Sequence, residues 1–273
     1  MERVARLLLA CNALIALFSV AGYGALINGL PVPPWNYYAL TQGLSIANVA
    51  SGVLCALLAM VSEQGWRPTL ILFALTATIA GTVELIGTTT GVPFGRYQYT
   101  ELLGYKLFGH VPLLIPPSWF MMLYPALHLA SLRLDGWLMR AVVAAAILTL
   151  WDVALDAACT TGFMQWQWLQ QGSLWGGLPA VHFYGMPLEN WLGWLLTGGL
   201  ISALYLRLQP HWKPHRNSLG TWLYIVQGAF AAAMAALVGR WGASLLWLIG
   251  IAALLLWLRP WSMPTARVSV KAE

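Results

Sequence analysis

Charge is what this chain has least of. Only 8% of its 273 residues are Asp, Glu, Lys or Arg, against 59% hydrophobic ones. A soluble domain carries about a quarter charged residues to cover its surface, so a water-soluble globule is excluded, as a mean hydropathy of +0.69 also indicates. Cysteine is scarce as well. Cys11, Cys55 and Cys159 are odd in number, fall within apolar runs and lack metal-ligand spacing, so neither a disulfide framework nor a thiolate metal centre is expected. No Glu-x-x-His spacing points to a di-iron centre, and a metal site is not expected. The net charge of +5 does not mark a nucleic-acid binder, because the basic residues are scattered through short connections and form no stripe.

What the chain does have is long hydrophobic runs. A span needs about 20 apolar residues, and eight are expected, at 7–27, 39–61, 69–90, 113–132, 139–161, 188–206, 219–238 and 243–258. The fold class is therefore all-α, a polytopic membrane bundle forming one integral domain over 1–273. Many of the 16 Trp and 10 Tyr lie near the ends of these runs, as interfacial belts require. Arg3 and Arg6 followed by an apolar stretch imitate a signal peptide, and Leu8-Leu9-Ala10-Cys11 a lipoprotein box, but the run continues well past Cys11 and reads as an uncleaved first span. With both termini cytoplasmic, the inner segments hold Arg3, Arg6, Arg67, Arg133, Arg140, Arg207, Lys213, Arg216, Arg259, Arg267 and Lys271, and the outer ones Arg96, Lys106 and Arg240. The asymmetry is the one that orients membrane proteins.

Within the fifth run stands Trp151-Asp152-Val153-Ala154-Leu155-Asp156. A carboxylate in hydrocarbon costs about 2.5–3.5 kcal/mol on insertion scales, and such a residue faces the bundle interior. Asp152 and Asp156, four apart, share one helical stripe. No basic residue lies at helical spacing in that span, which leaves Arg96 as the obvious cation. A sequestered carboxylic acid without a full counter-charge can stay protonated and serve as a proton donor, with a second, wetter carboxylate as base. Glu84 ends the third run before Gly87-Thr88-Thr89-Thr90-Gly91, where a helix cap is the plain explanation, yet an acid is the wrong charge for that end of the dipole. Glu189 follows Pro187-Leu188, a normal helix start with an acid at the positive end, and Asn190 beside it is a candidate orienting group. His110 and His182 fall in outer loops, where solvated histidines are ordinary. Trp151, Trp166, Trp168, Tyr184, Trp191 and Trp194 crowd the acids and suit either interfacial anchoring or an apolar, elongated ligand whose cation their π faces could steady.

The two long outer connections, 91–112 and 162–187, are rich in Gly, Pro, Trp and Tyr and are expected to pack down as lids or re-entrant segments. An offset of 72 residues aligns Glu84 with Asp156, His110 with His182, Ser118 with Asn190 and Trp119 with Trp191. Tyr97-Gln98-Tyr99 resembles Trp166-Gln167-Trp168 with a gap. A tandem repeat over 69–132 and 139–206 is the expectation, with chance matching of apolar sequence as its rival.

Four motifs carry a family resemblance: Glu84-Leu85-Ile86-Gly87-Thr88-Thr89-Thr90-Gly91-Val92-Pro93-Phe94-Gly95-Arg96-Tyr97, Pro116-Pro117-Ser118-Trp119-Phe120-Met121-Met122, Trp151-Asp152-Val153-Ala154-Leu155-Asp156, and Phe183-Tyr184-Gly185-Met186-Pro187-Leu188-Glu189-Asn190-Trp191. They resemble the membrane carotenoid-biosynthesis family of CruF-type 1′,2′-hydratases and bisanhydrobacterioruberin hydratases, over a core of about 40–206. Ala157-Ala158 departs from the proline expected after the second aspartate. The resemblance implies addition of water across the terminal 1,2 double bond of an acyclic ψ end group, in γ-carotene or a lycopene-like carotene, on the way to myxol-type xanthophylls. It implies no cofactor and no metal; the partners are a carotenoid, water, membrane lipid and other enzymes of the pathway. Asp152, Asp156, Glu84 and Glu189 are then the catalytic candidates, with Asp152, expected to be the more buried, as acid, and Asp156 or Glu84 activating water. Trp151, Arg96, Tyr97, Trp119, Trp166, His182, Tyr184, Asn190 and Trp191 are the substrate-binding candidates. Two other classes compete. A prenyltransferase would use Asp152-x-x-x-Asp156 for magnesium and diphosphate, but needs further acids and nearby cations. A proton-coupled transporter would favour broken helices, whereas the glycines here cluster at span ends. The orientation is testable directly: a reporter fused in the 207–218 loop reports a cytoplasmic location, and an external one refutes the topology.

Overall fold

The structure is a computed structural model describing residues 1–31, 36–169, 181–214 and 219–259. Among these residues each expected span is one helix: α1 (Glu2–Ile27), α2 (Tyr37–Gln64), α3 (Trp66–Thr90), α4 (Ile115–Ser131), α5 (Trp137–Thr161), α6 (Leu188–Leu208), α7 (Leu219–Leu237) and α8 (Trp241–Leu258). Seven are long and apolar enough to cross a membrane, which makes this a multi-pass integral membrane protein. The exception is α4, whose 17 residues span about 26 Å at 1.5 Å per residue. It is the axis of the bundle, with every residue from Trp119 to Ala130 buried against α2, α3, α5 and α7. A helix sheathed by protein need not match the hydrocarbon thickness.

Local chemistry sets the helix ends. Asn36 caps α2 by accepting from the Ala39 N–H at 3.1 Å. Gly91 closes α3 in the left-handed conformation (φ 91°), its N–H returning to Gly87 O. Pro116 and Pro117 sit in the first turn of α4, where an N–H has no helical partner to lose.

Lipid gives no hydrophobic drive to bring helices together, so small residues and polar side chains do it. Gly228 of α7 receives the Trp247 ring of α8, and Gly198 of α6 lies on Ala145 and Leu148 of α5. Asn12 of α1 donates to Asn48 O (2.8 Å) and Ser51 Oγ (3.0 Å) of α2, and accepts from Gln227 Nε2 of α7 at 2.7 Å. Tyr224 of α7 donates to Ile147 O of α5 at 2.7 Å. At the opposite end from the long connections, Arg140 donates to Ser131 Oγ (2.7 Å) and Trp212 O (3.0 Å) while stacking over Trp212.

The long connections do pack down. Tyr97–Tyr99 (β1) pairs antiparallel with Trp166–Trp168 (β4), Gln98 opposite Gln167. Lys106–Leu107 (β2) and Val111–Pro112 (β3) form one hairpin, and His182–Phe183 (β5) and Met186–Pro187 (β6) another. Part of the second connection, 170–180, lies outside the described residues.

The α7–α8 contact makes a checkable statement. A Cβ at Gly228 would stand 2.1 Å from Trp247 Cζ2, so Gly228→Ala forces the helices apart at a cost of about 1–3 kcal/mol. Thermal unfolding in detergent should show a lowered midpoint; an unchanged one refutes the tight contact.

Candidate active site

Glu84 lies nearly two turns before the end of α3, and Asp152 and Asp156 in the last turns of α5. All three are buried, at 4%, 2% and 2% exposure, so the two aspartates do not differ in burial as expected. They line one cavity of about 250 Å³. What separates them is their supply of hydrogen-bond donors. Glu84 accepts three bonds, from Trp119 Nε1 (2.9 Å) at Oε1 and from the Tyr99 (2.8 Å) and Tyr97 hydroxyls at Oε2. Asp156 accepts two, from Trp166 Nε1 at Oδ1 and Trp168 Nε1 (3.0 Å) at Oδ2. Asp152 takes a single one among the described residues, from Asn190 Nδ2 at 2.9 Å.

The donors arrive in this order because of strand periodicity. Side chains two apart on a strand point to the same face, so the β1–β4 ribbon lowers Tyr97 and Tyr99 onto one acid and Trp166 and Trp168 onto another. Its outward residues, Gln98 and Gln167, bond each other instead. Backbone bonds extend the ribbon, from Thr100 N to Gln165 O (3.0 Å) and Leu169 N to Arg96 O (2.8 Å). Burial, and then the neighbouring Glu84 charge, push both phenols well above the usual tyrosine range, so they remain donors.

Below the ribbon the walls are aromatic. Trp119 and Trp194 stack at 3.8 Å and 9°, and Trp151 meets Trp194 edge-on at 6.0 Å. The buried Trp151 indole N–H has no acceptor among the described residues. Phe94 is driven between α3 and α6, into space that exists because Gly87 and Gly193 lack a Cβ. Asn48 and Gln227 add polar groups to the wall facing α2 and α7.

Eight of the expected residues thus meet at the cavity: Glu84, Asp152, Asp156, Tyr97, Trp119, Trp151, Trp166 and Asn190. Five do not line it. Arg96, the expected counter-charge, is exposed on the loop. Glu189 is buried in the first turn of α6, outside the cavity lining. His182 is exposed in β5. Tyr184 turns away at the hairpin tip, where its hydroxyl accepts from Gly242 N at 3.1 Å and Arg240 stacks on its ring. Trp191 rests against Phe183 at 5.6 Å. Tyr99, Trp168 and Trp194 join the site without having been singled out as binding residues. The alternation in Tyr97-x-Tyr99 and Trp166-x-Trp168 was the available signal. Among the described residues no group of three or more His, Cys, Asp or Glu is placed to hold a metal ion.

The bundle thus sequesters three carboxylates under a ribbon of aromatic donors, on a cavity with mainly apolar walls. Residues 44–256 match the family model described as carotenoid biosynthesis protein, and the chain belongs to that family. A bisanhydrobacterioruberin hydratase of Haloarcula japonica is 33% identical over 144 residues, which is 51% of this chain and 45% of that protein. The chain therefore matches less than half the length of that relative. No solved structure matches the chain.

The Glu84 clamp has a measurable consequence. Removing one hydroxyl, by Tyr97→Phe or Tyr99→Phe, takes a donor from a buried acid and should cost about 1–3 kcal/mol. Both variants should melt below the parent protein in detergent, and parental midpoints in both refute the clamp.

Proposed function

We propose that this protein is a carotenoid 1′,2′-hydratase that adds water to the terminal 1,2 double bond of an acyclic ψ end group. γ-Carotene or a lycopene-like carotene is the substrate. The family and the hydratase relative support a carotenoid-modifying hydratase. The observation that carries the finer reading is the unequal donor supply to three acids on one apolar-walled cavity.

A hydrogen bond to a charged group contributes about 1.5–3 kcal/mol, so three donors suit Glu84 to carrying charge and two suit Asp156. Asp152, with one, is the acid best placed to keep its proton. In the reaction the Asp152 O–H bond breaks as the π pair of the alkene takes the proton at C2. Positive charge is left on the tertiary C1. Trp151, Trp119 and Trp194 border the same cavity, and a desolvated cation over the face of such a ring gains about 2 kcal/mol. Water then forms the C1–O bond and loses a proton to Asp156 or Glu84. That proton returns to Asp152, one helical turn from Asp156, and the cycle closes. Substrate plus water becomes a tertiary alcohol with no electron transfer, so no redox cofactor enters, and Asn190 holds Asp152 in place.

The same reading takes 69–132 and 139–206 as tandem halves, the first giving Glu84 and β1 to the site and the second Asp152, Asp156 and β4, with both termini cytoplasmic. The stacking partner of Trp119 is Trp194, three residues beyond its counterpart Trp191 in the 72-residue alignment.

Expression in a host that accumulates lycopene or γ-carotene should yield a product heavier by one water, without added cofactor. Asp152→Asn should lower its formation about 100-fold or more, the range of general acid catalysis, while the protein stays inserted in the membrane. Full activity in that variant removes Asp152 from the mechanism, and the absence of a hydrated product from any acyclic carotene refutes the function.

A further inference from the structure

A substrate longer than the cavity must leave most of its length outside, and the walls show where. The ribbon closes the cavity over the acids. Phe94 fills the space between α3 and α6, and Gly198 on Ala145 seals α5 to α6. The lining also reaches the space between α1 and α2. There α1 departs from the bundle: its buried residues are Ala5, Asn12 and Ala16, and none follows Ala16. The Asn12 bonds to α2 and α7 pin its middle, and beyond Ala16 its inner side chains Val20 and Tyr23 are partly buried against α5 and α7. The last third of α1 lines the cavity through Phe18, Gly22, Tyr23 and Leu26, with Tyr37 across from it on α2. Phe18, Leu26 and Tyr37 are 46%, 42% and 41% exposed, so the same side chains face both the cavity and the surroundings of a membrane helix.

We propose that the cavity opens sideways into the bilayer between the end of α1 and the start of α2, and that this mouth admits the chain of a linear hydrocarbon whose remainder stays among the lipid tails. The inference rests on the polyene-hydratase reading of the acids. Tyr23 is the gate. Its hydroxyl donates to Gly162 O at 3.1 Å, its ring lies 3.9 Å from Phe163, and Tyr37 stands 6.2 Å away, so one side chain ties α1 to the end of the acid-bearing helix. Swinging Tyr23 aside gives up its bond to Gly162 O and its contacts with Phe163 and Tyr37. A hydrocarbon chain crossing this threshold leaves one apolar medium for another, which requires no desolvation of polar groups. A water-borne substrate has no such advantage here.

Gly22 offers the test, because a Cβ built there meets nothing within 4 Å. Gly22→Trp therefore fills the mouth without forcing the helices apart. Gly43, on α2, is equally unobstructed but is not among the lining residues, so Gly43→Trp is the control. In membranes of a carotene-accumulating host, Gly22→Trp should form hydrated product at least 10-fold more slowly than the parent and retain less pigment on purification. Gly43→Trp should match the parent in both. To separate blockage from misfolding, Gly22→Cys in a Cys11→Ser background is labelled after purification with a bulky maleimide. Labelling of the folded protein should abolish pigment uptake. Parental turnover and pigment retention in Gly22→Trp, or uptake unaffected by the label, overturns the lateral mouth. An unmodified protein that retains pigment yet forms no hydrated product counts against the hydratase reading alone, and the mouth is then judged by pigment retention.

Discussion

Keeping a carboxyl group out of water in an apolar bundle requires donors, and the architecture of the loop-rich end follows from that need. An unpaired buried acid costs several kcal/mol. Among the described residues no cation is paired with the three acids; indole, phenol and amide groups serve them, from Trp119, Tyr97, Tyr99, Trp166, Trp168 and Asn190. Neutral donors leave the acids free to exchange protons, whereas an arginine would hold them as permanent anions. The price is geometric, since aromatic donors are large and must be delivered from a rigid surface. The β1–β4 ribbon is that surface, and the glycines at 87 and 193 exist so that Phe94 can wedge beneath it.

The helices were legible because hydropathy alone marks them. A run of twenty apolar residues has few other fates, and even α4, too short to match the bilayer, announces itself by continuous hydrophobicity. The acids were legible for the complementary reason: Glu84, Asp152 and Asp156 interrupt such runs, and each interruption needs an explanation. The clamp partners divide differently. Trp119 and Asn190 fall in memorable motifs, but Tyr99 and Trp168 acquire their role only when two strands almost 70 residues apart choose one another. That pairing is non-local, and nothing in either tripeptide names its partner.

Residues nominated through closeness in sequence fared worst where a hairpin intervened. Tyr184 and His182 lie a few positions from Asn190, yet the two-residue turn at Tyr184-Gly185 reverses the chain, and the tip docks on the α7–α8 turn through Gly242 and Arg240. Trp191 is next to Asn190, and on a helix adjacent residues face about 100° apart. Asn190 reaches Asp152 while Trp191 rests on Phe183. The walls contributed by α1, α2 and α7 were hidden in another way. Apolar residues that line a cavity have the composition of residues that face lipid, so no pattern in Phe18 or Leu26 distinguishes the two surroundings.

The division of α1 explains how one helix can belong to both. Its middle is fixed by an amide network with α2 and α7 whose groups satisfy one another: Asn12 bonds Asn48, Ser51 and Gln227, and Gln227 returns to Asn48 at 3.0 Å. In a medium without water these bonds are hard to exchange, so that level of the bundle is a fixed pivot. Beyond it α1 is partly buried, with Val20 and Tyr23 resting on the cluster around Phe163 and Met234. The acids lie at that level of the bundle. A rigid floor and a ribbon-covered roof keep the carboxyl groups in register, while the wall formed by the end of α1 and the start of α2 is one whose lining side chains Phe18, Leu26 and Tyr37 are also exposed.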